Sequence, residues 1–405
     1  MSDVIIVGGG ASGLIASVMA ARAGARVTVL EQNDKPGKKL SATGNGKCNL
    51  TNLSQKPEDY RGSDPEFSSF ARKAFSVSDT LDFFTELGLC PVNKNNYIYP
   101  RSGQASSVTE LLCMEAVRLG VKIKTNEKAT ELHQKKGKWT VLTKTWHYEA
   151  DAVILSGGSS ASAVAGSDGS CYQLAAALGH KIIKPLPALT AFKCSGSYFS
   201  GWAGVRTQAN VTLLIDGSPR HRAEGEVQLT EYGISGIPVF QISRYGIRSL
   251  YNKEKVSLSI DFMPEIHTSD LDRFWENRKK RCPQKNEREL LIGLFPEKLN
   301  KVICNYSKKR HIELPCLLKR FPLEVCGYLP YEQAQVCSGG VDTSEIDPHT
   351  MESRLCPGLY FAGELMDVDG TCGGYNLQWA WSSGACAGLH SAGVTGSSYK
   401  QGENI

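Results

Sequence analysis

The sequence predicts an α/β fold in which a doubly wound, nucleotide-binding type of domain is built from both chain ends and interrupted by a β-rich insertion and a small helical lobe. Three observations predict it. The chain opens with a strand, a glycine turn, a helix and a second strand ending on Glu31. A buried strand followed by paired glycines recurs at Ala152–Gly158, and the glycine-strand pattern returns between Gly339 and Gly374. Between them, the texture is β from about residue 190, then helical and basic over residues 268–325.

Val4-Ile5-Ile6-Val7 is a short apolar run that enters Gly8-Gly9-Gly10-Ala11-Ser12-Gly13, and helix formers follow from Leu14 to Ala23. In such a turn Gly8 permits the reversal, Gly10 lets the backbone approach a pyrophosphate, and Gly13 lets helix and strand pack closely. The helix start at Ala11 and Ser12 offers free N–H groups to the anion. Gly24 ends the helix, and Arg26-Val27-Thr28-Val29-Leu30 delivers Glu31, with Gln32 beside it, to the strand tip. A carboxylate there can accept both ribose hydroxyls of an adenosine and would repel a 2′-phosphate. Strand, turn, helix, strand and acid in this order read as a Rossmann-type dinucleotide unit.

A chain of 405 residues is too long for one core, so two or three domains are expected. Its 41% apolar and 21% charged residues suit a soluble globular protein. Asp3 stands where a secretory signal would be basic, and no run of apolar residues is long enough to span a membrane, so a cytoplasmic location is expected. Thirteen cysteines without a C-x-x-C pair suit reduced core thiols, and the eight histidines show no ligand spacing. No metal is expected.

The polar, glycine-rich segment Pro36–Asn52 is too broken for a helix and too polar for a buried strand. It is expected to be a loop lying flat against the cofactor, through Lys39, Gly44, Gly46, Lys47, Cys48 and Asn49. Cys48 is its reactive candidate, with a packed, inert thiol as the alternative. Residues 68–90 read as helical, Asn95–Pro100 as a turn and short strand, Val108–Leu119 as a helix, and Trp139–Val141 with Trp146–Tyr148 as a meander. Ala152–Leu155 then runs into Ser156-Gly157-Gly158, and Gly166–Gly169 opens the helix Tyr172–Leu178. Two glycine turns after parallel-type strands fit one long dinucleotide along the sheet edge.

From Leu189 the short strands suggest a small barrel or sandwich, in which Leu229–Pro238 is a glycine turn able to face the cofactor and Glu231 is a second catalytic candidate. Residues 268–325 hold fourteen Lys and Arg against eight Asp and Glu, in a chain whose net charge is +5, so the positive excess sits in this lobe. Ser269-x-x-Asp272 is expected to cap its first helix. At the C-terminal end Leu359–Ala362 is a strand leading to Gly363, Glu364 and Asp367, and Gly373-Gly374-Tyr375-Asn376-Leu377-Gln378 opens the helix Trp379–Leu389. An acid after a strand-end glycine can hold a sugar-alcohol chain. A helix N-terminus at a flavin's N1–C2=O edge would stabilise the reduced, anionic ring.

Together these blocks resemble the BaiN/RdsA family of bacterial FAD-dependent oxidoreductases, also described as HI-type or aminoacetone-oxidase-like. The Gly-Lys-Cys-Asn and Gly-Gly-Tyr-Asn-Leu-Gln blocks are the most specific part of the likeness, which spans the whole chain. The resemblance implies an FAD-binding domain over residues 1–189 and 336–405, a β-barrel insertion over 190–267 and 322–335, and a helical lobe over 268–321. It implies Glu31 on the adenosine ribose and Glu364 or Asp367 near the ribityl chain. Two departures stand out: Glu231 replaces a histidine common in relatives, and Ser160-Ala161-Ser162 replaces an early proline. The proton donor is therefore unassigned. The expected activity is hydride transfer from NAD(P)H, a transient donor, through flavin N5 to an electron-poor double bond. Acceptors across the family include steroids, aminoacetone and a uridine of ribosomal RNA. The alternatives are thus a ribosomal RNA dihydrouridine synthase, whose basic lobe (Arg278–Arg281 and Lys308–Arg310) grips phosphates, or a non-catalytic FAD-binding RNA factor.

Overall fold

The computed structural model describes residues 1–395 apart from 163 and 165. The chain forms two compact units, residues 1–185 with the chain from 336 onward, and residues 186–335.

The first unit is built on a five-stranded parallel sheet in the order Leu359–Phe361, Ala152–Leu155, Asp3–Val7, Arg26–Glu31, Lys122–Thr125. Val4–Val7 and Ala152–Leu155 are buried throughout, as strands covered on both faces must be. The central strand pairs on one side with the next strand of the chain and on the other with one about 150 residues later. The switch point of the sheet therefore lies beyond Val7, between the Gly8 and Gly157 turns. Helix Ala11–Arg22 packs against helix Tyr375–Ser391. A Cβ on Gly384 would lie 2.5 Å from Ser12 O, and one on Gly388 2.5 Å from Ala16 O, so these two glycines set the closeness of the pair. In this way the two chain ends share one core.

Several local expectations are corrected. Residues 68–90 form two helices, Phe67–Ala74 and Val77–Glu86, because Ser76 and Asp79 close a capping box that starts the second. The expected loop contains a helix, Lys38–Gly46, broken at Thr43–Asn45. Gly37 turns the chain into it with φ +70°, Leu40 is buried, and Ser41 Oγ meets Thr109 Oγ1 at 2.9 Å. Packing on the helix Ala105–Arg118 thus overrides a glycine-rich composition.

The second unit is a closed six-stranded antiparallel barrel in the order Phe192–Ser195, Gly233–Gly236, Ser218–Thr230, Arg206–Ile215, Val256–Asp261, Phe321–Tyr328. Alternate residues are buried along Val256–Asp261 and over the first five residues of Phe321–Tyr328, and closure leaves no edge. A helix not foreseen, Ile237–Tyr251, follows the barrel turn. Pro238 reads as a breaker, yet in a first turn its missing N–H is one the helix cannot use. Four helices complete the unit: Thr268–Arg281, Glu287–Leu291, Glu297–Arg310 and Leu314–Lys319. Leu271, Trp275, Ile303 and Leu317 from these helices join barrel residues in one core. His267 caps the first of them, its Nδ1 accepting from Ser269 N at 3.4 Å, in place of the expected Ser269 and Asp272. Among the described residues no helix is long and apolar enough to cross a membrane.

Candidate dinucleotide site

Gly8, Gly10 and Gly13 of the first turn are not equivalent. Gly8 has φ +105°, and a Cβ there would come 2.8 Å from the Gly157 Cα. At Gly13 a Cβ would lie 1.9 Å from Gly8 O. The fold itself demands glycine at both. Gly10 has φ −79° and ψ −166°, a backbone open to any residue, and a Cβ there would meet nothing within 4 Å. Neither strain nor a neighbour demands glycine at Gly10, so the space at the helix N-terminus is left clear. Ala11 is the first helical residue, and Ser12 is buried with Oγ 3.4 Å from Ala362 O, under Gly363, whose φ is +73°.

Glu31 is buried at the strand tip. Its Oε2 accepts from Gly9 N at 2.8 Å, and its Oε1 accepts from Asn33 N and Nδ2, both at 2.8 Å. Of the four acceptor positions of a carboxylate, the described residues fill three, which leaves one lone pair open to a ribose hydroxyl. Gln32 is a scaffold residue: its Nε2 donates to Gly166 O at 2.7 Å.

The second turn is tied to the first by Ser156 Oγ, 2.9 Å from Gly8 O. A Cβ on Gly157 would meet Cys171 Sγ at 2.2 Å, whereas Gly158, with φ +71°, faces open space. Beside it Glu364 gathers three distant segments. Its Oε2 pairs with Lys39 Nζ at 2.7 Å, and its Oε1 accepts from Ser159 Oγ at 2.6 Å and Cys337 N at 3.1 Å. Asp367 is fully buried. Its Oδ2 accepts from Ser63 N and Oγ, at 2.8 and 2.7 Å, while Oδ1 has no partner among the described residues.

The Gly46–Asn52 and Gly370–Gln378 blocks meet at the N-terminus of helix Tyr375–Ser391. Gly374, at φ +97°, caps it, and a Cβ there would lie 2.7 Å from the Thr51 carbonyl carbon and 3.0 Å from Asn49 Oδ1. That Asn49 oxygen is also buried without a partner among the described residues. Asn52 Nδ2 donates to Gly373 O at 3.1 Å. Gln378 is 1% exposed and holds the junction from behind: Oε1 accepts from Thr51 Oγ1 at 2.6 Å, and Nε2 donates to Thr80 Oγ1 at 2.9 Å and Ser382 Oγ at 3.0 Å. Asn376 is a turn lock, its Oδ1 accepting from Gly370 N at 2.8 Å and its Nδ2 donating to Gly370 O at 3.0 Å. Leu377 is half-buried beside it. Arg61, buried against Asp369 at 3.1 Å, donates to the same Gly370 carbonyl at 3.1 Å.

Gly44 and Gly46 take φ +58° and +80°, and Lys47 is exposed after them. Cys48 is corrected as a nucleophile: it is fully buried, and burial pushes its thiol up to about 12. Glu231, the other catalytic candidate, lies in the barrel unit, exposed in the turn between Ser218–Thr230 and Gly233–Gly236. Of the basic residues expected to meet phosphates, Arg278 is committed to the fold, donating to Leu290 O at 2.6 Å and Ile292 O at 2.9 Å. Lys279 pairs with Glu276 at 3.0 Å. Lys280, Arg281, Lys308, Lys309 and Arg310 are exposed. Ser63, Ser159 and Arg61 carry no motif signal. Their partners lie 205 to 309 residues away and only the fold brings them in.

Residues 2–390 match the family described as HI0933-like protein Rossmann domain. The chain is 42% identical to a 3-dehydro-bile acid delta(4,6)-reductase of Clostridium scindens, over 97% of this chain and 99% of that protein. It is 30% identical to a ribosomal RNA dihydrouridine synthase of Haemophilus influenzae, over 95% of this chain and 98% of that one. Among solved structures, the 3-ketosteroid delta1-dehydrogenase of Sterolibacterium denitrificans, in complex with 1,4-androstadiene-3,17-dione, shares the fold at 11% identity and a TM-score of 0.51, covering 96% of this chain and 99% of that one.

Proposed function

The chain belongs to the HI0933-like family of Rossmann-domain proteins, and from that premise we propose that this flavoprotein oxidoreductase holds FAD across its two glycine turns and uses NAD(P)H to reduce an electron-poor carbon–carbon double bond. The observation that carries the reading is the clear space over Gly10, where a Cβ would meet no atom of the described residues within 4 Å, beside Gly9, whose N–H Glu31 accepts. Two buried oxygens without partners among the described residues, Asn49 Oδ1 and Asp367 Oδ1, fit the same group, since a buried acceptor is costly until a donor reaches it.

The helix start at Ala11 would hold the pyrophosphate through its free N–H groups, and Glu31 would accept from the adenosine ribose. Asp367, with one oxygen fixed by Ser63, would take a ribityl hydroxyl on the other. Glu364 is already engaged by Lys39, Ser159 and Cys337, so it shapes the site by tying its walls together. The N-terminus of helix Tyr375–Ser391, held by Gln378 and Asn376, would place partial positive charge at the ring and favour its reduced form by about 0.3–2 kcal/mol. FAD held there would supply two-electron, hydride-transfer chemistry between a nicotinamide donor and the acceptor.

For the acceptor we favour a conjugated 3-oxo-4-ene of bile-acid type, by kinship with the C. scindens reductase. The carbonyl makes the far carbon of the double bond electron-poor. A second reading is favoured by the exposed cations of the helical lobe, Lys280, Arg281, Lys308, Lys309 and Arg310: a uridine in ribosomal RNA, whose ring double bond is likewise conjugated to a carbonyl. Each acceptor is offered to the FAD-loaded protein with NADPH or NADH, and mass spectrometry looks for a gain of two hydrogens. Reduction of the bile acid supports the first reading, and reduction of RNA with no action on the bile acid supports the second. Product from neither would refute both.

A further inference from the structure

Saturating a polarised double bond takes a proton as well as a hydride, and the acids and thiol placed around the glycine turns supply none. Cys48 is buried, Glu31 and Glu364 already accept from protein donors, and Asp367 is fully enclosed. Tyr97 stands where the two most distinctive motif blocks meet. It opens the strand Tyr97–Pro100 and pairs with Asn52, which donates to Gly373 O at 3.1 Å. Its ring lies directly on Gly373: a Cβ on that glycine would come 2.8 Å from Tyr97 Cε1, and φ +130° keeps the backbone pressed toward the ring.

Three phenols gather at this turn, and they differ in access. Tyr375 is 8% exposed and Tyr99 is half-buried, and burial raises both, Tyr375 to about 12. Tyr97 is 37% exposed. Its hydroxyl has no hydrogen-bond partner among the described residues, whereas Tyr60 donates to Gln55 Oε1 at 2.6 Å. A tyrosine kept only to cover Gly373 would need no hydroxyl, and a proton donor needs one that solvent can recharge.

We propose that Tyr97 is the proton donor of the reaction. Its O–H bond breaks as a C–H bond forms at the carbon next to the acceptor's carbonyl, the hydride and its two electrons arrive at the far carbon from the NAD(P)H-reduced cofactor, and water reprotonates the phenolate. The assignment rests on the reading of the Gly373 turn as the place of the flavin ring.

The test is Tyr97→Phe, prepared as FAD-loaded protein beside the wild type, with a 3-oxo-4-ene bile acid as probe acceptor. FAD content and the anaerobic rate of reduction by NADPH should match the wild type. Reoxidation by the probe should fall by about 10²–10⁴-fold. Independently of any acceptor, the visible spectrum of the oxidised flavin at one fixed pH should shift between the wild type and Tyr97→Phe, because a hydroxyl beside the ring is lost. Equal reoxidation rates, or superimposable flavin spectra, would overturn the assignment. A wild-type protein that ignores the probe refutes only the acceptor class, and the comparison of flavin spectra then decides on Tyr97. A wild-type protein that binds no FAD overturns both readings.

Discussion

Gly10→Val separates a glycine required by a ligand from one required by the fold. The backbone at Gly10 accepts a side chain, and a Cβ there meets no protein atom within 4 Å, so the apoprotein should lose about 1 kcal/mol or less, the difference between glycine and valine as an N-cap. The same methyl carbons occupy the space through which a pyrophosphate reaches the helix N–H groups. Hydrogen bonds to a charged group contribute about 1.5–3 kcal/mol each, so losing two costs about 3–6 kcal/mol, or about 10²–10⁴-fold in Kd. Gly13→Ala is the contrasting case, because its Cβ would sit 1.9 Å from Gly8 O and the strand–helix packing itself must give way. Titrating apoprotein with FAD by flavin fluorescence, beside thermal unfolding, measures both quantities. Gly10→Val should melt like the wild type and fail to bind, and Gly13→Ala should melt early. Wild-type FAD affinity in Gly10→Val would refute the placement of the pyrophosphate.

Other outcomes follow from the same contacts. Glu31→Lys deprives Gly9 N, Asn33 N and Asn33 Nδ2 of their acceptor and buries an ammonium, so purified protein should be colourless and about 3–5 kcal/mol less stable by denaturant unfolding. Gln378→Leu leaves Thr51 Oγ1 without its acceptor and loosens the helix start, costing about 2–4 kcal/mol in denaturant unfolding and weakening FAD binding. Arg118 and Arg22 hold the Glu115 carboxyl down at about 2, below its ordinary 4.5. A group depressed on folding stabilises above its unfolded value. This contribution, about 2 kcal/mol once the exposure of Arg118 is allowed for, should be complete above pH 4.5 and fade as pH falls toward 2, and Glu115→Gln should remove that acid-side slope from a stability–pH curve. Replacing Lys280, Arg281 and Lys308 with Glu should leave FAD content unchanged, and filter binding to ribosomal RNA fragments at several salt concentrations shows whether these cations hold phosphates. The RNA reading expects a log–log slope of about −0.7 per phosphate that the variant loses.

What was legible in the chain was what local geometry determines. The order of strand, turn, helix and acid placed Gly8, Gly13 and Glu31 because each acts on neighbours within a few residues or across one strand pair. The buried run Ala152–Leu155 declared a parallel strand for the same reason. Tertiary partners were not legible. Cys48 looked reactive in a polar segment, yet the backbone around it docks on the strand Tyr97–Pro100, with Leu50 N 2.7 Å from Ile98 O, and the thiol goes inside. Glu364 read as an acid near a ribityl chain, and its ties to Lys39 and Ser159 were hidden because those residues lie 325 and 205 positions away. Asn376 read as a cofactor contact, and the lock that its amide forms on Gly370 was not foreseen. Arg278 read as one cation of a run, while its guanidinium bonds two carbonyls of the neighbouring helix end. In each case composition named the group and packing decided its partner.

The central claim is that residues from both chain ends hold FAD for reduction of a conjugated double bond. Anaerobic spectrophotometry of the FAD-loaded protein tests it most directly, with NADPH or NADH added first and a 3-oxo-4-ene bile acid or ribosomal RNA second. The visible flavin band should bleach with the nicotinamide and return on addition of one acceptor, with one double bond saturated per flavin reoxidised. A protein that takes up no FAD, or whose bleached flavin recovers with neither acceptor and only when oxygen is admitted, would contradict it.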